Sequence, residues 1–430
     1  MKRSSLISMF WLAALILISS TSMANDNFTK EKVADTLNYV SYFGKILDEA
    51  TGLSLPFATI EAEGSNVATV SNIDGDFTIK IAEGSNVKTL KVSYVGYTNK
   101  VVALSDFNGS RKLTIKLAPR AIQLKELTIR PEEPGDIIEI MLGRIGQNYP
   151  DNPMMMTGFY RETVTKGKNY VSISEAVVDV FKSAYRNDLQ GDQIRIFKGR
   201  KSADVEKMDT VLFKLQGGPS TTILLDVIKN PYILLSDNFR AIYDFNLIDI
   251  ISINDKLHYV ISFNQKSHVT APFYQGKLYI EMDNLALTEA EFALNVENEE
   301  EAARMFIRKK PLGMSVIPEK ALYRVKYTMQ DGKWYFSYAR AEVKFKVDWE
   351  KKLFNSTYST MSEIAITDRT EQGVDKFDTK ERFKRTDVLD EKVYIFFDQD
   401  FWGEYNVIEP DQSIETAIRR LNRKFLKTQE

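Results

Sequence analysis

Along most of the chain, apolar and polar residues alternate in short runs divided by Gly, Asn, Asp and Pro, the pattern of half-buried β-strands. Between Tyr42 and Leu117 the runs are brief: Phe43 to Leu47, Ala58 to Ala62, Ala68 to Val70, Phe77 to Ile81, Thr89 to Val95, Asn99 to Leu104 and Lys112 to Leu117. Roughly seven strands at this spacing predict an antiparallel β-sandwich. The pentapeptide Glu-Gly-Ser-Asn-Val occurs at Glu63 to Val67 and again at Glu83 to Val87. Gly and Asn tolerate positive φ, so both copies predict turns. Asn72-Ile73-Asp74-Gly75-Asp76 has some likeness to a calcium loop, but an EF-hand needs a terminal bidentate Glu and flanking helices. Ile81 stands six positions after Gly75, so Asp74-Gly75 predicts a hairpin connection between Val70 and Phe77.

The pattern changes at Arg130-Pro131-Glu132-Glu133-Pro134-Gly135, whose charge, Pro and Gly mark a linker. Ile137, Ile138, Met141, Leu142 and Ile145 then recur at helical spacing, predicting one amphipathic helix that ends at Asn148-Tyr149-Pro150. Beyond Thr157 the strand-like runs lengthen: Gly158 to Thr165, Asn169 to Lys182, Gln193 to Lys198, Phe239 to Ile253, Leu257 to Asn264, Lys277 to Met282, Ala286 to Val296, Ala321 to Met329, Lys333 to Trp349 and Ser356 to Asp368. Consecutive antiparallel pairs of this kind predict one large antiparallel sheet or an open barrel, with Thr222 to Lys229 and Glu299 to Ile307 as short helices against it. Ile414, Ala417, Ile418, Leu421 and Phe425 predict a terminal helix capped by Ser413 or Asp411, its stripe docked on its own domain. The expected class is therefore mainly β, divided at 42–130 (sandwich), 131–150 (linker and helix) and 151–430 (β-rich domain).

Composition adds a compartment. Met1-Lys2-Arg3, the apolar stretch from Leu6 to Ile18, and Ser22-Met23-Ala24 have the order of a secretory signal, predicting a signal peptide over 1–24 and a leader over 25–41. No cysteine is present, which excludes disulfides, lipobox acylation and thiolate chemistry, and suits a Gram-negative periplasm or outer-membrane-associated location. Lys plus Arg number 57 against 59 Asp plus Glu, so no global field favours nucleic acid. No integral span is expected in the mature chain.

Gly44-x-Ile46-x-Asp48, Gly52-x-x-Leu55-Pro56-x-Ala58-x-Ile60, Thr69-x-x-x-x-Asp74-Gly75-x-Phe77 and Val92-Ser93-Tyr94-Val95-Gly96-Tyr97 together resemble the carboxypeptidase regulatory-like domain. The resemblance covers Tyr42 to Arg130 and implies a transthyretin-like, non-catalytic accessory module of envelope proteins. Gly158-Phe159-Tyr160-Arg161-Glu162, Glu175 to Val180 and the tail from Trp402 to Pro410 resemble the uncharacterised C-terminal part of envelope proteins that carry this sandwich.

Candidate chemistry is sparse. The nucleophile-elbow, phosphate-loop and dinucleotide motifs are absent. Gly217-Gly218-Pro219-Ser220 lacks the strand-turn-helix setting that would expose Ser220, and reads as a loop. Glu175 and Asp179 share a strand face but stand about 13 Å apart, wider than the roughly 6.5–9.5 Å of an inverting pair. His258 and His268, with Asp255 or Asp283, have no fixed ligand spacing and read as structural. Zinc carboxypeptidase chemistry is excluded, since position 261 is Ile and no His-x-x-Glu pair exists. Tyr274, Tyr279, Trp334, Tyr335, Phe336 and Tyr338 read as strand packing rather than a recognition surface.

The sequence thus predicts no catalytic, cofactor-binding or metal residue and no cofactor. The expected function is an exported, non-enzymatic envelope protein whose second domain binds or scaffolds an envelope protein or glycan. A glycan or peptide hydrolase working through acidic residues, and a carrier of an apolar ligand, are the alternatives.

Overall fold

Where alternation is strict the chain is extended, and among the described residues it forms eighteen strands and seven α-helices. The computed structural model describes residues 38–109, 111–120, 133–186, 191–203, 217–235, 238–307, 312–350, 355–395 and 401–429. The expected signal peptide, most of the leader, Arg130 to Glu132 of the linker and the basic residues Arg308 to Lys310 lie outside these residues.

The first seven strands are β1 (Tyr39–Asp48), β2 (Thr59–Ala62), β3 (Ala68–Val70), β4 (Asp76–Ala82), β5 (Thr89–Ser93), β6 (Lys100–Ala103) and β7 (Leu113–Leu117). They make two sheets, β4-β1-β7 and β3-β2-β5-β6, antiparallel except for the parallel pair β1 and β7. Ile46, Ile60, Phe77, Ile79, Leu90, Val92 and Ile115 fill the space between them. The expected hairpin at Asp74-Gly75 is corrected: this turn passes from β3 in one sheet to β4 in the other. Asn72 organises it, its Oδ1 accepting the N–H groups of Asp74 and Asp76 at 2.9 Å each. Gly75 has φ 78° and lies so close to the Ile46 carbonyl that a Cβ would sit 2.6 Å from that oxygen.

The second part begins with two helices, α1 (Pro134–Gly143) and α2 (Ile145–Asn148), rather than the expected single one. Arg144, between them, leaves helical geometry at φ −98° and ψ 9° while its guanidinium and the Asn148 amide both donate to the Asn284 carbonyl. Tertiary anchoring therefore overrides the helical repeat. The following strands are β8 (Met154–Lys166), β9 (Asn169–Lys182), β10 (Gln193–Ala203), β11 (Tyr243–Ile253), β12 (Lys256–Gln265), β13 (Tyr274–Glu281), β14 (Leu287–Leu294), β15 (Met314–Gln330), β16 (Lys333–Trp349), β17 (Ser356–Thr370) and β18 (Tyr394–Ile395). They form one sheet in the order β11-β12-β13-β14-β15-β16-β17-β8-β9-β10-β18. Neighbours are antiparallel except β18, which pairs in parallel with β10. With β11 and β18 at its two margins, the sheet is open.

The remaining helices are α3 (Gly218–Thr222), α4 (Phe239–Ile242), α5 (Glu299–Phe306), α6 (Leu389–Lys392) and α7 (Gln412–Gln429). The helix expected over Thr222 to Lys229 is displaced to α3, because Gly217 at φ 86° and Pro219 in the first turn start it early. The strand expected from Phe239 begins only at Tyr243, after α4. Asp411 Oδ1 caps α7 by accepting the Ile414 N–H at 2.8 Å, and Ile414 and Ala417 pack with Ile173 of β9. The side chains of Leu421 and Phe425 lie outside the described residues.

Period-two alternation sends Tyr160, Val178, Val180, Val325 and Ile364 to one face of the large sheet, where α1, Tyr149, Ile223, Val227, Leu234 and Phe239 cover them. The other face presents Phe159, Val177, Tyr338 and Ala365, which pack with Val70 of the sandwich and with Phe401, Trp402 and Ile408. The central strands are thus covered on both sides.

Candidate functional site

The face beneath the sandwich carries a line of charge. Directly paired residues on eight neighbouring strands read Arg200, Glu175, Arg161, Glu363, Arg340, Arg324, Glu291 and Lys277. Directly paired residues share a sheet face, so these side chains stand side by side. Arg161 is its centre. Its Nε donates to Glu175 Oε1 at 2.8 Å, one terminal nitrogen to Glu363 Oε1 at 3.3 Å, and the other to the Ile408 carbonyl at 2.8 Å. Arg200 takes the second Glu175 oxygen at 2.8 Å, while Arg340 and the Tyr338 hydroxyl take the second Glu363 oxygen at 2.8 and 2.9 Å. Burial opposes the charge of Glu175, but Arg161 and Arg200 outweigh it and hold its carboxyl below the usual range.

This line is where the sandwich docks. Phe57 stacks on Tyr338 at 5.9 Å and lies under the guanidiniums of Arg324 and Arg340 at 5.2 and 4.9 Å. Lys326 donates to the Phe57 carbonyl at 2.7 Å, and the Thr328 hydroxyl donates to Glu61. Strand β3 packs on β17, and the Asn66 amide donates to the Arg369 carbonyl at 2.7 Å. The segment from Phe401 to Asp411 runs between sandwich and sheet. There Asn406 behaves as an extra strand residue, accepting the Lys80 N–H at 2.6 Å and donating to the Lys80 carbonyl at 3.0 Å.

Those contacts decide which sandwich margins remain accessible. The β3 and β4 margins are occupied. The β7 margin is partly covered, because Lys100 Nζ donates to the Lys116 carbonyl at 3.3 Å. On β6, the Leu104 N–H bonds the Lys88 carbonyl. Continued through the register Val102 to Leu90, antiparallel alternation turns the N–H and C=O of Val101 and Ala103 outward. Among the described residues nothing bonds these groups at Val101, whose side chain is 54% exposed.

The residues singled out in the sequence are dispersed. Glu175 belongs to the charged line, whereas Asp179 pairs with Arg195 at 2.7 Å. Ser220 donates to the Phe383 carbonyl at 2.7 Å from within α3. His258 is fully buried, with Nδ1 2.9 Å from the Lys256 carbonyl, and burial holds its imidazole down to about 4. Asp255 instead pairs with Arg120 at 2.6 Å, Asp283 is exposed, and His268 is exposed on the connection between β12 and β13. Tyr279, Trp334, Tyr335, Phe336 and Tyr338 are buried, and Tyr274 packs edge-on to Phe292. Among the described residues no group of three or more His, Asp or Glu is placed to hold a metal.

Glu162 escaped the sequence reading. It is buried on the helix-covered face, where it accepts the Tyr160 hydroxyl at 2.8 Å, and burial pushes its carboxyl up to about 8. A carboxylate in the middle of the strand-like run Gly158 to Thr165 was the available signal. An open cleft of about 500 Å³ lies where Asp74, Lys168, Tyr170, Asp411, Gln412 and Arg420 meet. Both of its carboxylates already serve α7: Asp74 accepts the Gln412 N–H at 2.8 Å, and Asp411 is the cap.

Residues 42–129 match the CarboxypepD_reg-like domain. The match spans the seven-stranded sandwich and bears out the resemblance carried by its turn and strand motifs. Searched against curated proteins, the chain finds no match. Among solved structures it is similar to a LolA superfamily protein from Nitrosomonas europaea, at 12% identity over 57% of this chain and 98% of that one, with a TM-score of 0.19. A DUF1329 family protein from Desulfovibrio piger is similar at 12% identity over 55% and 94%, with a TM-score of 0.22. Scores this low transfer neither ligand nor activity. Among the described residues no helix is long and apolar enough to cross a membrane.

Proposed function

We propose that this chain is a non-enzymatic, exported envelope protein that recruits a protein partner by strand addition to β6 of its regulatory-like sandwich, with the large sheet as the rigid base. The division into a 42–130 sandwich, a 131–150 connection and a 151–430 base, behind a 1–24 export signal, is part of this reading. The observation that carries it is the unequal use of the sandwich margins. The β3 and β4 margins are engaged by the rest of the chain and β7 is partly covered by Lys100 of the sandwich itself, while β6 keeps the outward backbone groups of Val101. Such groups template an incoming strand. A glycan offers no row of amides to match them, which favours a protein with an extended segment.

Of the carboxylates described above, Glu175 and Glu363 are tied to arginines in the charged line, and Asp74 and Asp411 serve α7. The faces that an apolar carrier would leave empty are filled by α1, Tyr149 and Phe239 on one side and by the sandwich on the other. Affinity capture from envelope extract tests the reading, comparing the wild-type chain with Val101→Pro. Proline removes an outward N–H without touching the ladder to β5. One enriched envelope protein, lost with Val101→Pro, is expected; equal capture by both chains contradicts strand addition at β6.

A further inference from the structure

A separate constellation lies on the helix-covered side of the sheet. Lys182, the last residue of β9, is fully buried, and its Nζ stands 2.6 Å from Asp226 Oδ2 and 2.6 Å from Asp192 Oδ2. Asp226 is equally buried, and each of its oxygens is held. Oδ1 accepts the Tyr327 hydroxyl at 2.7 Å and the Lys229 N–H at 3.2 Å, and Oδ2 accepts the Tyr185 hydroxyl at 2.9 Å. Asp192 Oδ1 is fixed by the N–H and hydroxyl of Ser183, at 3.0 and 3.1 Å. The rings of Tyr185 and Phe336 lie 5.1 and 5.5 Å from the Lys182 nitrogen.

An amine is therefore held against one carboxyl by a second one, inside an aromatic enclosure. Burial opposes the charge of Lys182, and Asp192 and Asp226 outweigh it, so the resting group is an ammonium. Buried charges of this kind carry a desolvation cost that a neutral product would not. Fixed contact also replaces a bimolecular encounter, with effective molarities that reach on the order of 10⁵ M or more in well-oriented pairs.

We propose that Lys182 and Asp226 condense into an intramolecular amide, with Asp192 carrying the protons. Asp192 takes one proton from the Lys182 ammonium and passes it to Asp226 Oδ2, leaving a free amine beside a neutral carboxylic acid. The amine lone pair attacks Cγ of Asp226 and the N–C bond forms. Tyr327 and the Lys229 N–H stabilise the negative charge that develops on Oδ1. A second amine proton travels through Asp192 to Oδ2, the C–Oδ2 bond breaks, and that oxygen leaves as water beside Tyr185. One ammonium and one carboxylate become one amide and one water, no further reactant is consumed, and Asp192 ends as it began. The bond ties the end of β9 to the segment after α3, fastening the helical cover to the sheet.

Peptide mapping by mass spectrometry tests this on the full chain, purified folded and denatured only before digestion. The expected result is a branched peptide joining Lys182 to Asp226, lighter than its two parts by one water. It is absent from Lys182→Gln and Asp226→Ala. Asp192→Asn, checked for folding by near-ultraviolet circular dichroism, is expected to form it on the order of 100-fold more slowly, the loss of a positioned proton carrier. Separate, full-mass peptides containing Lys182 and Asp226 from the folded wild-type chain would overturn the proposal, and that result requires no variant to fold. Bond formation at the wild-type rate in Asp192→Asn would overturn the role of Asp192.

Discussion

The side-chain amide of Asn406 bonds both backbone groups of Lys80, standing where a neighbouring strand residue would stand beside β4. A single side chain thus closes one margin of the sandwich and ties it to the segment that lies over Arg161. Replacing Asn406 with Ala leaves two polar groups of β4 without these partners, which costs about 1–3 kcal/mol. Urea unfolding of the variant should show that loss, together with faster hydrogen exchange at Lys80.

Arg161 is expected to be the most sensitive position of the charged line. It is 2% exposed, and both Glu175 and Glu363 depend on it. Removing it breaks two buried ion pairs at once and leaves Glu175 to Arg200 and Glu363 to Arg340 alone, so Arg161→Met should cost about 3–5 kcal/mol. Chemical denaturation measures this. A loss no larger than that of a surface residue would mean that the line is hydrated in solution.

Two buried groups give opposite pH dependences. His258 has its pKa lowered to about 4 in the folded chain. Between that value and the unfolded value near 6.5, the unfolded chain binds more protons, so stability falls as pH drops through this window, by roughly 3 kcal/mol in all. Glu162 has its carboxyl raised to about 8. There the folded chain holds the extra proton, so stability present below about pH 4.5 is lost as pH rises toward 8. Thermal melting from pH 4 to 8 should become less sensitive to alkali in Glu162→Gln and less sensitive to acid in His258→Gln.

Gly75 should not tolerate a side chain. Its φ of 78° and the 2.6 Å that would separate an added Cβ from the Ile46 carbonyl oxygen both oppose Ala. Left-handed strain alone costs about 1–3 kcal/mol, and Gly75→Ala should lower the melting temperature of the whole chain by loosening the turn between the sandwich sheets. Gly52, also at positive φ but with open space around it, should respond less.

Much of the architecture was legible because strand alternation is local. Asn169 to Lys182 and Lys333 to Trp349 were readable to the residue, as β9 and β16. The turn at Asp74-Gly75 and the two strands it joins were readable too, but not that these strands fail to pair, since β3 and β4 find their partners in different sheets. The charged line is non-local: its members lie as far apart in sequence as Arg161 and Glu363 and meet only through register. The strand spacing of Glu175 and Asp179 already excludes them as a carboxylate pair, but it does not reveal that the partners of Glu175 are Arg161 and Arg200. A charge in mid-strand, as at Arg161, Glu162 or Glu363, signals a buried partner without naming it. The accessible margin at β6 was invisible for another reason, since it is defined by what covers β3, β4 and β7.

Hydrogen exchange resolved to single amides of β6, in the free chain and in the complex captured from envelope extract, tests partner recruitment most directly. The account predicts that the outward N–H groups of Val101 and Ala103 exchange quickly in the free chain and become strongly protected in the complex, while β3 and β4 are protected in both. Unchanged exchange at Val101 and Ala103 in a saturated complex would contradict it.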